Sequence, residues 1–135
     1  MSKPKKLQED IAKLQDCGYD LQVENSIRPN DGSETLRHRI AKMCTARVLW
    51  SEGFRVDSEV FHQSRGRYAD LVGYGCPGRK PLIVEVERDT YDGQQAKYRE
   101  LYQVPVVKDV YLIDVDELPT DPKAQAEAIR VELGL

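Results

Sequence analysis

The stretch from Arg67 to Glu87 constrains the fold most, because it predicts a β-hairpin. Residues 67–74 and 81–87 are two short segments rich in apolar residues, and in the second Leu82, Val84 and Val86 alternate with Ile83, Glu85 and Glu87. Between them Pro77-Gly78 is a typical turn pair, since proline fixes φ and glycine tolerates a positive φ. With this pair at the centre of the reversal, Asp70 is predicted to lie directly opposite Glu85.

The predicted hairpin gathers three carboxylates. Side chains alternate along a strand, so Glu85 and Glu87 project together, away from Val84 and Val86. Directly opposed residues share a face at about 5 Å between Cβ atoms, where like charges destabilise a sheet unless a cation or proton intervenes. Asp70, Glu85 and Glu87 are therefore candidate ligands of Mg²⁺ or Mn²⁺, and a metal held there would activate water against a phosphodiester. The alternatives are an ordinary solvated face, or a register slip that turns Asp70 to the other side.

Composition indicates one globular domain. The chain has 135 residues, 32% of them charged and 40% hydrophobic, with a net charge of −3. We expect an N-terminal accessory helix and loop at 1–33, and a main domain with a C-terminal helix at 34–135. The sequence has no apolar run of about 18 residues, so no membrane span is predicted. It also has no apolar segment behind the N-terminus that would indicate a signal peptide, so a cytoplasmic location is expected. Three widely spaced cysteines favour neither a disulfide framework nor a zinc site.

The order of predicted elements indicates an α/β fold. Helices are expected at 4–16, 34–51, 93–103 and from about 121 onward, and strands at 54–61, 67–74, 81–87 and 106–115. A helix between the third and fourth strands allows a crossover, which predicts a mixed β-sheet flanked by helices. The second helix carries two apolar stripes and is expected to be covered on more than one side; the stripes are Leu36, Ile40, Met43 and Trp50, and Ala41, Cys44 and Val48. Asp31 with Glu34, or Ser33, is its expected cap.

These motifs in this order resemble the PD-(D/E)xK nuclease superfamily, which has the restriction-endonuclease-like fold. The resemblance covers about residues 34–115: Glu34 matches a glutamate in the first turn of a helix, Asp70 the aspartate, and Glu85 the glutamate of Glu-x-Lys. Gln94-Gln-Ala-Lys-Tyr98 matches the Gln-x-x-x-Tyr found in families related to RecB, and its two ends share a helix face. The resemblance implies a metal-dependent nuclease that acts on DNA, with Gln94 and Tyr98 orienting the site or the phosphate backbone.

One position departs from the family pattern. Glu87 stands where the family has a lysine, which would orient the attacking water and offset negative charge in the transition state. Glu87 would instead be a third metal ligand or a general base. A second alternative is that the lysine has moved, so that Lys97 or Lys80 reaches back to the site. A third is that catalysis is lost and only binding remains.

Basic residues flank the predicted carboxylates along the chain. Arg65, Arg67, Lys80 and Arg88 are candidates for contacts with phosphates on either side of a scissile bond, and ordinary surface charge is the alternative for each.

Glu34 and the two histidines are weaker candidates. Glu34 either holds a metal-bound water or caps its helix, and His38, on the same helix face, is more simply a surface residue. His62 is expected to be a loop or edge residue.

The main hypothesis is a Mg²⁺- or Mn²⁺-dependent endonuclease that hydrolyses DNA, as resolvases and restriction enzymes do. A small domain without a recognition module suggests a homodimer, or a partner that supplies targeting, and no membrane association is expected. The main alternative is a catalytically inactive nucleic-acid-binding or protein-interaction module on the same fold. An unrelated α/β structural protein is the third hypothesis.

Overall fold

The structure, a computed structural model, describes residues 5–28 and 35–135. The elements in chain order are α1 (Lys5–Asp16), α2 (Leu36–Ser51), β1 (Arg55–His62), β2 (Arg67–Tyr74), β3 (Leu82–Glu87), α3 (Gln94–Tyr102), β4 (Val110–Asp114), a short 3₁₀ turn (Val115–Glu117) and α4 (Pro122–Leu133). This order matches the predicted one, apart from the added 3₁₀ turn. Within these residues no helix has the length and apolar character that crossing a membrane requires.

The four strands form a single mixed sheet in the order β1-β2-β3-β4. β1, β2 and β3 are antiparallel neighbours, whereas β3 and β4 run parallel. A parallel pair needs a crossover connection, and α3 provides it between β3 and β4. The predicted α/β fold, with a mixed sheet flanked by helices, is confirmed, and β2 and β3 are its central strands.

The predicted register of the central hairpin is also confirmed. Leu71 faces Val84, and the next pairs toward the turn are Val72 with Ile83 and Gly73 with Leu82. The reversal therefore centres on Pro77-Gly78. Gly78 has φ of +76°, a left-handed conformation that glycine adopts readily.

Apolar side chains form a core on each face of the sheet. On one face Val84 and Val86 pack with residues of α2 and α4, including Leu49 and Ile129. On the other face α1 and α3 contribute Leu7, Leu14 and Tyr102, which pack with Ile83 and Tyr74. Both faces of the sheet are covered, so a polar group on a central strand is enclosed unless it lies near a strand end.

The prediction that α2 is covered on more than one side was wrong for most of its first apolar stripe. Leu36, Ile40 and Met43 are 73%, 49% and 43% exposed, while the buried face is formed by Ala41, Lys42, Thr45, Ala46, Val48 and Leu49. Three of these residues, Ala41, Thr45 and Ala46, have small side chains, which allow the helix axis to approach the sheet closely. Pattern alone does not show which of two stripes meets the sheet.

The start of α2 is set by a residue that the sequence analysis did not single out. Thr35 is the N-cap, and its side-chain oxygen accepts a hydrogen bond from the N–H of His38 at 3.2 Å. The expected caps, Asp31, Ser33 and Glu34, lie outside the described residues.

The fourth strand is shorter than predicted. It begins at Val110 rather than at 106, because the preceding residues form a turn in which the N–H of Val107 donates to the carbonyl of Val104 at 3.0 Å. Pro105 has no N–H to donate to a ladder. The apolar residues there, including Val107, pack against the α1 and α3 face without joining the sheet.

Candidate metal centre

The candidate site lies where β2 and β3 separate. Their ladder ends at the pair of Leu71 with Val84. Beyond it, side chains replace backbone groups as acceptors: the N–H of Asp70 donates to Oε1 of Glu85 at 3.1 Å, and the N–H of Val86 donates to Oδ2 of Asp70 at 2.8 Å. Each strand therefore holds the carboxylate of the other, and the two acidic side chains are fixed on the most central strands of the sheet.

Glu87 completes a cluster of three carboxylates. One oxygen from each of Asp70, Glu85 and Glu87 lies within 4.8 Å of the others. Oxygens on opposite sides of a bound Mg²⁺ are about 4 Å apart, so this spacing suits a divalent cation after small side-chain rotations. The three donors are hard, anionic oxygens, the type that Mg²⁺ and Mn²⁺ prefer. The residues present therefore fit such an ion.

Helix α3 brings the two ends of its Gln-x-x-x-Tyr segment to this cluster. The hydroxyl of Tyr98 donates to Oε1 of Glu87 at 2.8 Å, and Nε2 of Gln94 approaches the Tyr98 hydroxyl at 3.5 Å. Gln94 is buried and is itself held by the N–H of Tyr91, which donates to its Oε1 at 3.3 Å. The sequence placed these residues on one helix face, and the structure adds that they position Glu87.

The cluster has an excess of negative charge. Burial raises the pKa of Asp70 to about 6, although the hydrogen bond from Val86 and the charge of Lys42 act in the opposite direction. Burial, followed by the negative charge of Asp70, raises the pKa of Glu85 well above its ordinary value. Ionisation of both of these close, buried carboxyl groups is unfavourable unless a cation is bound beside them. The site therefore favours the uptake of positive charge, as protons or as a metal ion.

Two charged residues near the cluster were missed by the sequence analysis. Lys42 on α2 is only 1% exposed, and its Nζ lies 2.6 Å from Oε1 of Glu59 on β1. The one available signal was that Lys42 adjoins small residues, Ala41 and Thr45, which suit a buried helix face. The partner, Glu59, lies in another element, and sequence spacing does not reveal such a pair.

The two lysines considered as substitutes for the family's lysine lie on α3 and in the hairpin turn. Lys97 is exposed on α3. Lys80 is in the hairpin turn, five residues before Glu85, which corresponds to about 16 Å of extended chain. A lysine side chain does not span that distance, so the expectation that Lys80 reaches back was wrong. Glu34 lies outside the described residues.

Three of the four predicted phosphate contacts lie at the same end of the sheet as the carboxylates. Arg65 and Arg67 are in or next to the β1–β2 turn, and Arg88 follows β3 directly; all three are exposed. Arg65 also donates to the carbonyl of Glu100 at 3.2 Å. Lys80 lies at the opposite end of the hairpin.

His62, expected in a loop or at an edge, is the last residue of the edge strand β1 and is 3% exposed. Its ring meets that of Tyr19 edge-on at 4.4 Å, and its Nδ1 lies 3.1 Å from the hydroxyl of Ser64. Burial, followed by the charge of Arg65, lowers its pKa. These contacts give His62 a place in the core beside Tyr19.

Comparisons of the chain with protein-family models, with curated proteins and with solved structures find no match. A functional assignment therefore depends on the chemistry of the three carboxylates and of the side chains around them.

Proposed function

We propose that this chain is a nuclease of the PD-(D/E)xK type that hydrolyses DNA with the aid of Mg²⁺ or Mn²⁺. The observation that carries the proposal is the convergence of Asp70, Glu85 and Glu87 within 4.8 Å where the central strands separate. A second support is that Gln94 and Tyr98 join the same cluster from the helix that follows.

Asp70, Glu85 and Glu87 would hold the ion, which when bound would polarise the phosphodiester and make the attacking water easier to deprotonate. The protein's own contribution is orientation. The N–H of Asp70 holds the carboxylate of Glu85 at 3.1 Å, and the N–H of Val86 holds the carboxylate of Asp70 at 2.8 Å. Two of the three carboxylates are therefore oriented by backbone groups, whose positions are fixed by the strands. Such preorganisation reduces the cost of binding both the ion and the substrate.

Glu87 acts as a third ligand in this proposal. The Tyr98 hydroxyl occupies part of its hydrogen-bonding capacity and turns the carboxylate toward Asp70 and Glu85. Outer hydrogen bonds of this kind orient metal ligands and are worth about 10- to 100-fold in metal affinity.

Exposed arginines would bind the DNA backbone beside the site. Arg65, Arg67 and Arg88 lie at the carboxylate end of the sheet and can contact phosphates on either side of the scissile bond. Since the chain has a net charge of −3, this local patch must provide the attraction. A homodimer would place two such sites on one duplex.

The test is cleavage of plasmid, single-stranded and branched DNA with Mg²⁺ or Mn²⁺. We expect cleavage that EDTA abolishes and that Asp70→Asn reduces at least 100-fold, because a metal ligand is lost. Asp109→Asn is the matched control, since Asp109 pairs with Arg99 at 2.9 Å outside the cluster, and it should retain activity. Full activity of Asp70→Asn would reject this site.

A non-catalytic DNA-binding module on the same fold is the second candidate. It is favoured by Glu87 at the position of the family's lysine and by the exposure of Lys97. This function predicts DNA retention that weakens steeply with added salt, as phosphate contacts require, and no cleavage with either ion.

A further inference from the structure

The strand β1 is distorted at the level of Asp70. Glu59 has φ of +50°, a left-handed conformation that is unusual for a residue with a side chain and that concentrates at functional sites. It lies between the pairs of Ser58 with Leu71 and Val60 with Ala69, so its position across the sheet is opposite Asp70. Neither this pair nor that of Asp70 with Glu85 is a regular ladder pair. Glu59, Asp70 and Glu85 thus form a row across three strands, at the place where β2 is loosened on both sides.

The carboxylate of Glu59 is engaged by a buried cation. Lys42 reaches it from α2 at 2.6 Å, and the lysine is 1% exposed while Glu59 is 17% exposed. An ammonium ion is strongly hydrated, and burying it is unfavourable unless nearby negative charges compensate for the lost hydration. The charges of Lys42 and Glu59 both act on Asp70. Asp70 therefore has a fixed cation on the side of β1 and the carboxylates of Glu85 and Glu87 on the side of β3.

We propose that Lys42, held by Glu59, takes the place of a second divalent cation, so that Asp70, Glu85 and Glu87 bind a single metal ion. This inference rests on the proposed function. In two-metal nucleases a shared carboxylate lies between ions about 3.5–4 Å apart, each with further acidic ligands. Glu59 is placed as the acidic ligand of such a second ion, on the far side of Asp70 from Glu85. Its Oε1 is instead committed to the ammonium of Lys42.

Lys42 also brings a positive charge near Asp70, which Glu87, at the position of the family's lysine, does not. Four carboxylates, those of Glu59, Asp70, Glu85 and Glu87, and one ammonium face one another across the strands. A single divalent ion brings this group close to neutrality, whereas a second ion would require Glu59 to give up a charge-assisted hydrogen bond inside the protein. Lys42 is thus a positioning residue, which limits the number of ions and leaves Asp70 directed toward one.

The test is a count of bound Mn²⁺ per folded chain, from the loss of the free-ion electron paramagnetic resonance signal during titration. The variants are Lys42→Met, Lys42→Met with Glu59→Gln, and Lys97→Met as a matched control, with folding checked by circular dichroism. We expect one ion for the wild type and for Lys97→Met. Lys42→Met should bind two ions, because Glu59 is released, and the double variant should return to one.

Two ions in the wild type, or one ion in folded Lys42→Met, would overturn the role of Lys42 and leave the proposed metal site standing. A wild-type chain that binds no Mn²⁺ would instead overturn the proposed function and this inference with it. Should Lys42→Met fail to fold, the wild type decides alone. At saturating Mn²⁺ its frozen-solution spectrum should show isolated ions, and a spin-coupled pair would contradict the proposal.

Discussion

Asp70 links backbone structure and chemistry in a single residue. Its N–H donates to the carboxylate of Glu85, and its own carboxylate accepts from the N–H of Val86. Both hydrogen bonds join β2 to β3 at the point where the backbone ladder ends. The same contacts hold two acidic groups close together, which raises the pKa of both Asp70 and Glu85. A sheet does not need this arrangement for stability, since like charges at this distance are unfavourable. The cost is understandable if a cation is the intended occupant.

At the same scale, Tyr98→Phe tests whether α3 positions a metal ligand. The change removes the hydroxyl that donates to Glu87 at 2.8 Å and leaves the ring in place. We expect Mn²⁺ affinity, measured by isothermal titration calorimetry, to fall about 10-fold, because outer hydrogen bonds to ligands have effects of this size. Thermal stability should change little, since Tyr98 is partly exposed.

Tyr102→Phe is the matched control for that experiment. Tyr102 is buried on the same helix, and its hydroxyl donates to the carbonyl of Tyr68 at 3.1 Å rather than to a carboxylate. Its loss should lower stability by about 1 kcal/mol and leave Mn²⁺ affinity unchanged. Equal affinities for wild type and Tyr98→Phe would remove α3 from the site.

At the scale of elements, the helix α1 is joined to the hairpin by close contact. Oδ2 of Asp10 accepts a hydrogen bond from the N–H of Gly75 at 2.8 Å, and Leu7 packs over the same glycine. A Cβ added at Gly75 would lie 2.7 Å from Cδ1 of Leu7. The helix α1, which was expected to be an accessory element, therefore covers the turn of the β2–β3 hairpin. The carboxylate cluster lies at the other end of the same hairpin.

This contact predicts a difference between two glycine variants. Gly75→Ala and Gly78→Ala both place alanine at a left-handed φ, of +75° and +76°, which costs about 1 kcal/mol. At Gly78 nothing lies within 4 Å of the added Cβ, so the conformational cost is the whole effect. At Gly75 the clash with Leu7 should add about 1–3 kcal/mol. Denaturant unfolding measures both, and equal losses would contradict the docking of α1.

The elements also show how far the sequence predicts the structure. The register of β2 and β3 was predictable because a turn pair and an alternating strand determine it locally, and the convergence of Asp70 with Glu85 follows from that register. The buried face of α2 was not predictable in this way, because it depends on how closely the helix approaches the sheet. The pair of Lys42 with Glu59 joins two elements across the fold, and no local pattern specifies it.

At the scale of the whole molecule, the carboxylate cluster should make stability depend on pH. Burial raises the pKa of Asp70 from 3.8 to about 6, so the folded chain retains a proton that the unfolded chain has lost. Without metal, the free energy of unfolding should therefore fall as pH rises from about 4 to 6, by about 1.4 kcal/mol for each pKa unit. Glu85, whose pKa burial and Asp70 raise further, should extend the fall to higher pH.

Denaturant unfolding in EDTA between pH 4.5 and 8, for wild type and for Asp70→Asn with Glu85→Gln, measures this effect. His62, whose pKa is lowered by burial, acts in the opposite direction as pH falls below about 6.5, and it is present in both chains. The difference between the two curves therefore isolates the acidic pair. We expect the variant to gain stability over the wild type as pH rises, and parallel curves would contradict the assigned electrostatics.

The most direct measurement of the central claim is an anomalous difference map from crystals soaked in Mn²⁺. We expect one strong peak bound by carboxylate oxygens of Asp70, Glu85 and Glu87, at metal–oxygen distances of about 2.2 Å. The peak should disappear in Asp70→Asn crystals soaked in the same way. A map with no peak at this cluster, in a crystal where the cluster is open to solvent, would contradict the claim that these three side chains form a metal centre.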